Sequence, residues 1–211
     1  MKRTVLVGLV FAGMMGSAQA DVLLRENFND VGTLSGSGWV RSNQGQPAGA
    51  AETWFQGGDD TFGAHKGAPT SYIASNYQTA APGGTLANWL ITPEFSTTLN
   101  VVVSFFLRAE QFEDFRDQLE FRFSNGSADL DDFTLARPEP VTAPTDGWTR
   151  YSVNLGRIGT GRFAVVHTGA ADLSNYVGLD TLTIHAIPEP ATAMILGLGL
   201  AGFTLARRRR A

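Results

Sequence analysis

Apolar and polar side chains alternate in several short segments between residues 21 and 186, where a helical period is nearly absent. Thr149–Leu155 alternates strictly, as a half-buried strand does. Gln118–Ser124 repeats the pattern, and the Asn-Gly pair that follows it is typical of a tight turn. Asn100–Arg108 is apolar on both faces, which predicts a central strand covered on both sides.

Three further segments are rich in β-branched or aromatic residues and are predicted as strands: Arg162–Thr168, Leu179–Ile184 and Ser71–Tyr77. The Gly/Ala-rich stretches Gly45–Ala51 and Thr79–Thr85 predict loops instead. Many short strands separated by Gly, Pro, Asn and Asp favour an all-β fold, an antiparallel β-sandwich. The chain has no cysteine, which excludes disulfides, thiolate zinc sites and a cysteine nucleophile.

The first twenty residues have the order of a secretory signal peptide. Two basic residues precede an apolar run from Thr4 to Met15, and small residues at Ala18 and Ala20 suit signal peptidase. The run is shorter than the roughly 20 residues that span a bilayer, which disfavours the alternative of a permanent N-terminal anchor. We therefore expect a signal peptide over residues 1–20 and a mature chain that begins at Asp21.

Residues 187–211 combine three elements. A Pro-Glu-Pro tripeptide, Pro188, Glu189 and Pro190, precedes an apolar segment over residues 191–206. At about 1.5 Å per residue, this segment forms a transmembrane helix of marginal length against a hydrocarbon core of roughly 30 Å. Four arginines follow it and hold that end in the cytoplasm, so that residues 21–186 face the far side of the membrane. The arginines are Arg207, Arg208, Arg209 and Arg210.

The order of these three elements at the C-terminus resembles the PEP-CTERM sorting signal of Gram-negative bacteria. The resemblance implies that the protein crosses the inner membrane, is cut near the Pro-Glu-Pro by an exosortase and reaches the cell surface or extracellular matrix. Ile187 stands where the family often has Val. The alternative is a single-span tail anchor that is never cut, which the mass of the released protein would distinguish.

Seven short sequence motifs occur in order along the middle of the chain: Glu26–Asn29, Gly38–Trp39, Asn88–Pro93, Val103–Phe105, Asp117–Glu120, Gly147–Trp148 and Leu179–Ile184. Together they resemble the choice-of-anchor J domain, which is related to the cleaved-adhesin domains of bacterial surface proteases. The resemblance covers residues 22–186 and implies a jelly-roll antiparallel β-sandwich. Residues 21–186 are therefore expected to form one ectodomain between the signal peptide and the sorting signal.

The same resemblance implies a possible structural Ca²⁺ where the first and last strands meet. By position, its ligands are Glu26 and Asp180, with Asn29 or backbone carbonyls completing the six to eight oxygens that Ca²⁺ takes. The family often has Asp-Asp where this chain has Asp180-Thr181. The alternative is that these acids are solvated at strand ends. A second acidic cluster over residues 129–132 lacks the glycine and distal glutamate of an EF-hand and is interpreted as a surface loop.

Sugar binding is the second candidate chemistry. Three tryptophans belong to the motifs that resemble the family and are expected in the core: Trp39, Trp89 and Trp148. The remaining tryptophan, Trp54, precedes Asp59 and Asp60, and an aromatic face beside carboxylates can stack on a sugar ring. The alternative is that Trp54 packs in the core or at its rim, as buried tryptophans commonly do.

Catalysis has the least support. Acidic residues are frequent between residues 113 and 120, but they lack the laminarinase spacing and are interpreted as solvated charges. His65, His167 and His185 are isolated in sequence, and no nucleophile elbow or phosphate-binding loop occurs. No catalytic residue is therefore predicted.

The net charge of the central part of the chain bears on which partners it can bind. Residues 21–186 carry 10 basic and 19 acidic side chains, a net charge of −9, which disfavours nucleic acid and anionic membranes. We predict a non-enzymatic surface or matrix protein that is processed by signal peptidase and exosortase and binds exopolysaccharide. The alternative is a secreted carbohydrate-active enzyme similar to glycoside hydrolases.

Overall fold

The computed structural model describes residues 20–188, which form one compact unit. The predicted signal peptide, apart from Ala20, lies outside the described residues. Glu189, Pro190, the predicted transmembrane helix over residues 191–206 and the four C-terminal arginines lie outside them as well. Within residues 20–188, no helix is long and apolar enough to cross a membrane.

Fourteen strands, numbered in chain order, are distributed over two antiparallel sheets. Sheet A has the order β12-β8-β14-β5-β4, and β1 pairs with the far end of β14. Its strands are β1 (Asp21–Glu26), β4 (Phe55–Gln56), β5 (Ile73–Asn76), β8 (Asn100–Ala109), β12 (Thr149–Gly156) and β14 (Tyr176–Ile187).

Sheet B has the order β10-β9-β13-β6-β2, with three short strands attached: β11 to β9, β3 to β6 and β7 to β13. Its strands are β2 (Val40–Asn43), β3 (Gln46–Ala48), β6 (Ala80–Ile91), β7 (Phe95–Ser96), β9 (Gln118–Ser124), β10 (Thr134–Leu135), β11 (Val141–Thr142) and β13 (Thr160–Ala170). Four short 3-10 turns connect strands in the described chain: Val31–Ser37, Tyr77–Thr79, Leu130–Asp132 and Ala171–Leu173.

The predicted β-sandwich is confirmed, and all six predicted strands overlap observed ones, with Gln118–Ser124 matching β9 at both ends. The loop predicted over Gly45–Ala51 contains β3, and the loop predicted over Thr79–Thr85 is wrong, because β6 begins at Ala80. Its first residues pair with β3, and Thr85 also lies opposite Ala170 of β13. Backbone pairing with these neighbours makes this Gly-rich segment a strand, although its side chains give no alternation.

The core lies between the two sheets. Leu119 and Phe121 of β9 point inward, as alternation predicts, and both are buried. Phe105 of β8 meets Phe121 and Phe163 with ring centroids 5.0 and 5.8 Å apart. These aromatic contacts between the facing sheets bury apolar surface at roughly 25 cal/mol per Å², the main favourable term in a fold without disulfides.

The outer face of sheet A is covered by the segment that connects β4 to β5. Phe62 and Tyr72 from this segment lie over Gly178 of β14, together with Trp148. A Cβ atom at residue 178 would approach all three rings to 2.9 Å, so only glycine fits under them. Trp148, which was expected in the core, is partly exposed at the rim of this cluster.

Candidate functional site

A serine, a histidine and an aspartate are hydrogen bonded in series between the two sheets. Ser75 Oγ on β5 lies 2.9 Å from Nδ1 of His167 on β13. His167 Nε2 lies 3.0 Å from Oδ1 of Asp117, which precedes β9. The order of these groups is that of a hydrolase triad, in which a base activates a hydroxyl and a carboxylate orients the base.

This triad has no access to a substrate. Ser75 and His167 are 0% exposed, and Asp117 is 2% exposed. Ser75 Oγ also accepts a hydrogen bond of 2.7 Å from the amide of Asn88, and Asp117 Oδ1 accepts one of 2.9 Å from the backbone N–H of Asn175. The three side chains therefore form a buried polar network that ties β5 of sheet A to β13 of sheet B.

Sequence reasoning missed this network. Asp117 was interpreted as a solvated charge, but it is buried against His167. Glu120 does face outward, where it pairs with Arg122 at 2.7 Å. A signal for His167 was available, because alternation through Phe163 and Val165 places it on the core face, where a histidine needs polar partners.

The structure does not support sugar stacking by Trp54. Its ring is 0% exposed and belongs to the main core cluster. The indole N–H donates a hydrogen bond of 2.9 Å to the carbonyl of Asn88. Asp59 and Asp60 are exposed in the segment after β4, on the side of sheet A. Because Trp54 is buried, its ring offers no face on which a ligand could stack.

The three predicted metal ligands lie where β1 and β14 meet. Glu26, at the end of β1, has its Cα opposite Leu182, two residues beyond Asp180. One oxygen of Glu26 accepts a hydrogen bond of 2.7 Å from the N–H of Phe28. Asn29 follows in the chain, and its carboxamide oxygen lies close to Gly67. Gly67 is next to Lys66, whose backbone N–H donates a hydrogen bond to Asp180.

Asp180 is fully buried, and both of its oxygens accept backbone N–H donors, from Lys66 at 3.0 Å and from Thr181. Burial raises the pKa of Asp180 above its ordinary value, because desolvation outweighs these two hydrogen bonds and the influence of His65. Phe28 and Thr181 have φ angles of 50° and 52°, a left-handed conformation that costs of order 1–3 kcal/mol and often occurs at ligand sites.

The donor set suits a hard cation. All three side chains offer oxygen atoms, and a cation would offset the cost of burying the Asp180 carboxylate. Within residues 20–188, no three Asp, Glu, His or Cys side chains converge on one metal position. A metal here would therefore need the Asn29 oxygen and backbone carbonyls besides the two carboxylates.

The outer face of sheet B carries a row of uncharged polar side chains, the polar strip, made of Gln44, Gln118, Thr142 and Thr168. Register places Thr142 opposite Gln118 and Gln118 opposite Thr168. Thr168 lies opposite Ala87, whose carbonyl accepts the N–H of Gln44. Four strand spacings give the strip a length of about 19 Å.

The members of the polar strip are exposed or partly exposed. Gln118 donates a hydrogen bond of 2.7 Å to the Thr142 hydroxyl, and Gln44 donates one of 2.8 Å to Ser42 in the next row. The charges nearest in register, Glu120 and Arg122, neutralise each other. A row of exposed side chains without charge is unusual for a domain whose net charge is −9.

A groove of about 600 Å³ is formed by residues from β3, from the start of β6 and from the turn after β13. Tyr77, which is 42% exposed, forms part of its wall. Because β3, β6 and β13 all belong to sheet B, the groove adjoins the end of the sheet that carries the polar strip. Gln78 and Asp172 also line the groove, and an exposed phenol ring beside an amide and a carboxylate is an arrangement that can bind sugars.

Comparison with known proteins identifies the C-terminal segment. Residues 186–210 match the PEP-CTERM protein-sorting motif, which confirms the predicted sorting signal. The motif implies an exported surface protein that is processed by an exosortase. A search of curated protein sequences gives no match.

Solved structures confirm the jelly-roll sandwich and its likeness to cleaved adhesins. The K3 cleaved adhesin domain of Lys-gingipain from Porphyromonas gingivalis w83 is similar with a TM-score of 0.60 and 19% identity, over 79% of this chain and 99% of that domain. The K1 domain of the same protein gives a TM-score of 0.59 and 20% identity, over 77% and 97%. At this level of identity the similarity establishes the fold alone.

Proposed function

We propose that this chain is a non-enzymatic surface or extracellular-matrix protein of a Gram-negative bacterium and that its β-sandwich binds a neutral exopolysaccharide on the polar strip. Signal peptidase and an exosortase process the two ends, the latter near Pro188, and the C-terminal segment holds the chain in the inner membrane until it is cut. The sorting motif supports export, and the geometry of sheet B supports the binding role.

The observation that carries the binding role is the absence of net charge on the polar strip. Hydroxyl groups of a neutral glycan both donate and accept hydrogen bonds, and carboxamide and hydroxyl side chains do the same without a charge to desolvate. Flat strand faces keep such groups about 4.8 Å apart, so a chain of sugars can bridge several strands at once. Tyr77 adds an exposed ring face in the groove at that end of sheet B.

Replacing Gln118 and Thr168 together by Ala should weaken retention of residues 20–188 in gels that contain neutral exopolysaccharide. Each lost hydrogen bond costs about 1 kcal/mol, so the dissociation constant should rise roughly thirtyfold. Affinity electrophoresis over a range of polysaccharide concentrations measures it.

A matched control removes one exposed hydroxyl and one exposed carboxamide from β12 of sheet A, by Thr149→Ala with Asn154→Ala, and should leave retention unchanged. Equal loss in both double variants would contradict the assignment to sheet B, and no retention of the wild type would contradict glycan binding. Turnover of the polysaccharide would support the alternative, a secreted carbohydrate-active enzyme.

We also propose that Glu26, Asn29 and Asp180 hold a structural Ca²⁺ together with backbone carbonyls. The ion would fix the junction of β1 and β14 by neutralising carboxylates that are buried or half-buried there. The ion would also stabilise the left-handed backbone conformation of Phe28 and Thr181, which are close to the ligands in sequence.

Ca²⁺ is expected to raise the thermal midpoint of residues 20–188, and Asp180→Asn is expected to abolish this response. Ca²⁺ at 100 times its dissociation constant should add about 2.7 kcal/mol. Asp146→Asn, at an exposed acid, is the control and should keep the full response. Calorimetry with Ca²⁺ and with chelator measures both, and equal curves for the wild type in the two buffers would remove the metal.

The same variant has a pH signature without metal. Because burial raises the pKa of Asp180, the folded state binds this proton more tightly than the unfolded state. The free energy of unfolding should therefore fall as pH rises from the ordinary carboxyl value of 3.8 through the raised pKa. Asp180→Asn should lack this component of the pH dependence.

A further inference from the structure

Most free sheet edges in the described chain are short or interrupted. In sheet B the flanking strands β10 and β11 have two residues each, and β3 has three, including Pro47. In sheet A, β4 has two residues, and β1 carries three charged residues and a register shift after Val22. Short strands, proline, charge and bulges are the devices by which proteins prevent edge-to-edge association.

The edge formed by β12 has few of these devices. It runs for eight residues, Thr149–Gly156, and pairs on one side with β8. The opposite side has no partner strand among residues 20–188. It contains no proline or lysine, and its register shift falls at its end, between Asn154 and Gly156. Backbone N–H and C=O groups along this edge are therefore available to a further strand.

We propose that β12 pairs antiparallel with β12 of a second copy of this chain, which joins the two A sheets into one. With Ser152 on the two-fold axis, Arg150 lies opposite Asn154 of the other copy, and Tyr151 lies opposite its Val153. Polar side chains then meet on the outer face, and apolar ones meet on the core face, because both strands alternate in the same phase.

Charge along β12 is compatible with this pairing. The domain carries a net charge of −9, which opposes association of most of its surfaces, but β12 contains no acidic residue. Its one charged residue, Arg150, would lie about 14 Å from its symmetry mate, four residues along the strand. This separation exceeds the Debye length of about 8 Å at physiological salt, so the two arginines repel each other weakly. Charge along β12 therefore does not oppose a second copy, and the matching alternation of the two strands is what favours it as the occupant.

The absence of cysteine makes a direct test possible. Opposite residues of antiparallel strands have Cα atoms about 4.5–5.5 Å apart, within the range that a disulfide spans. Ser152→Cys in residues 20–188, which form a compact unit with its own core, should therefore yield a disulfide-linked dimer under mild oxidation. Ser37→Cys, at another exposed serine far along the chain, is the control for random collision and should cross-link much more slowly.

Ser152→Lys supplies the second measurement. It would place two ammonium groups opposite each other on the exposed outer face, without touching the core. Sedimentation should show a dimer for the wild type and a monomer for Ser152→Lys. Circular dichroism should show that the Ser152→Lys variant remains folded. Equal cross-linking rates for the two cysteine variants, or a dimer that survives Ser152→Lys, would overturn the proposal.

Discussion

Trp54→Ala is expected to lower the free energy of unfolding of residues 20–188 by about 3–5 kcal/mol, the range for truncating a fully buried tryptophan. The ring is 0% exposed within the main core cluster, so its removal leaves a cavity that the two sheets can close only in part. The change also removes the indole donor of the Asn88 carbonyl. Urea unfolding followed by far-UV circular dichroism measures the loss.

The control is Phe112→Ala, which truncates an aromatic ring that is 58% exposed. Its effect should lie within about 0.5 kcal/mol of the wild type, as for surface substitutions generally. If Trp54→Ala had an equally small effect and reduced polysaccharide retention, the ring would be accessible and the sugar-stacking interpretation would return.

His167→Ala is the second substitution with a large expected effect, again about 3–5 kcal/mol. It removes the hydrogen-bond partner of both Ser75 and Asp117 and leaves a carboxylate in the core with the N–H of Asn175 as its remaining partner. Unpaired buried polar groups cost more than the bonds that satisfied them contributed. Denaturant unfolding at constant pH gives the difference directly.

A double-mutant cycle tests whether the network acts as a unit. Asp117→Asn keeps an oxygen acceptor for Asn175 and should cost less than His167→Ala, and the two changes should not be additive. His65→Ala removes an exposed histidine and serves as the control. Additive effects, or a loss below about 1 kcal/mol for His167→Ala, would mean that the two sheets do not depend on this network.

Strands and sandwich were predictable because alternation is a local property of the chain. Gln118–Ser124 and Thr149–Leu155 show it without interruption, and the structure reproduces both. The segment Ala80–Thr85 shows no such pattern, and its strand character comes from neighbours far away in sequence. Residue type could not reveal this, since glycine and alanine carry little information about which face is buried.

The candidate sites were harder to predict. Glu26 and Asp180 were predicted to lie close together because the first and last strands are neighbours in the family that the sequence resembles. In the structure, β1 pairs with β14 in this way. The polar strip was not foreseen, because its members come from three strands and from the residue that follows a fourth, and they become neighbours only through cross-strand register. For Trp54 both sugar stacking and core packing were open, and the structure buries the ring. Trp148 was expected in the core and is partly exposed, since a tryptophan's burial depends on what packs over it.

The sequence alone determined the sorting motif, the all-β class and the faces of the regular strands. These properties depend on residues close together in the chain, through a tripeptide, an apolar run or a two-residue period. Tertiary structure alone decided that Ser75, His167 and Asp117 form one buried network, that an uncharged row crosses sheet B and that β12 ends a sheet. Each of these depends on which strands become neighbours, and that choice is made by packing the whole core rather than by any single segment.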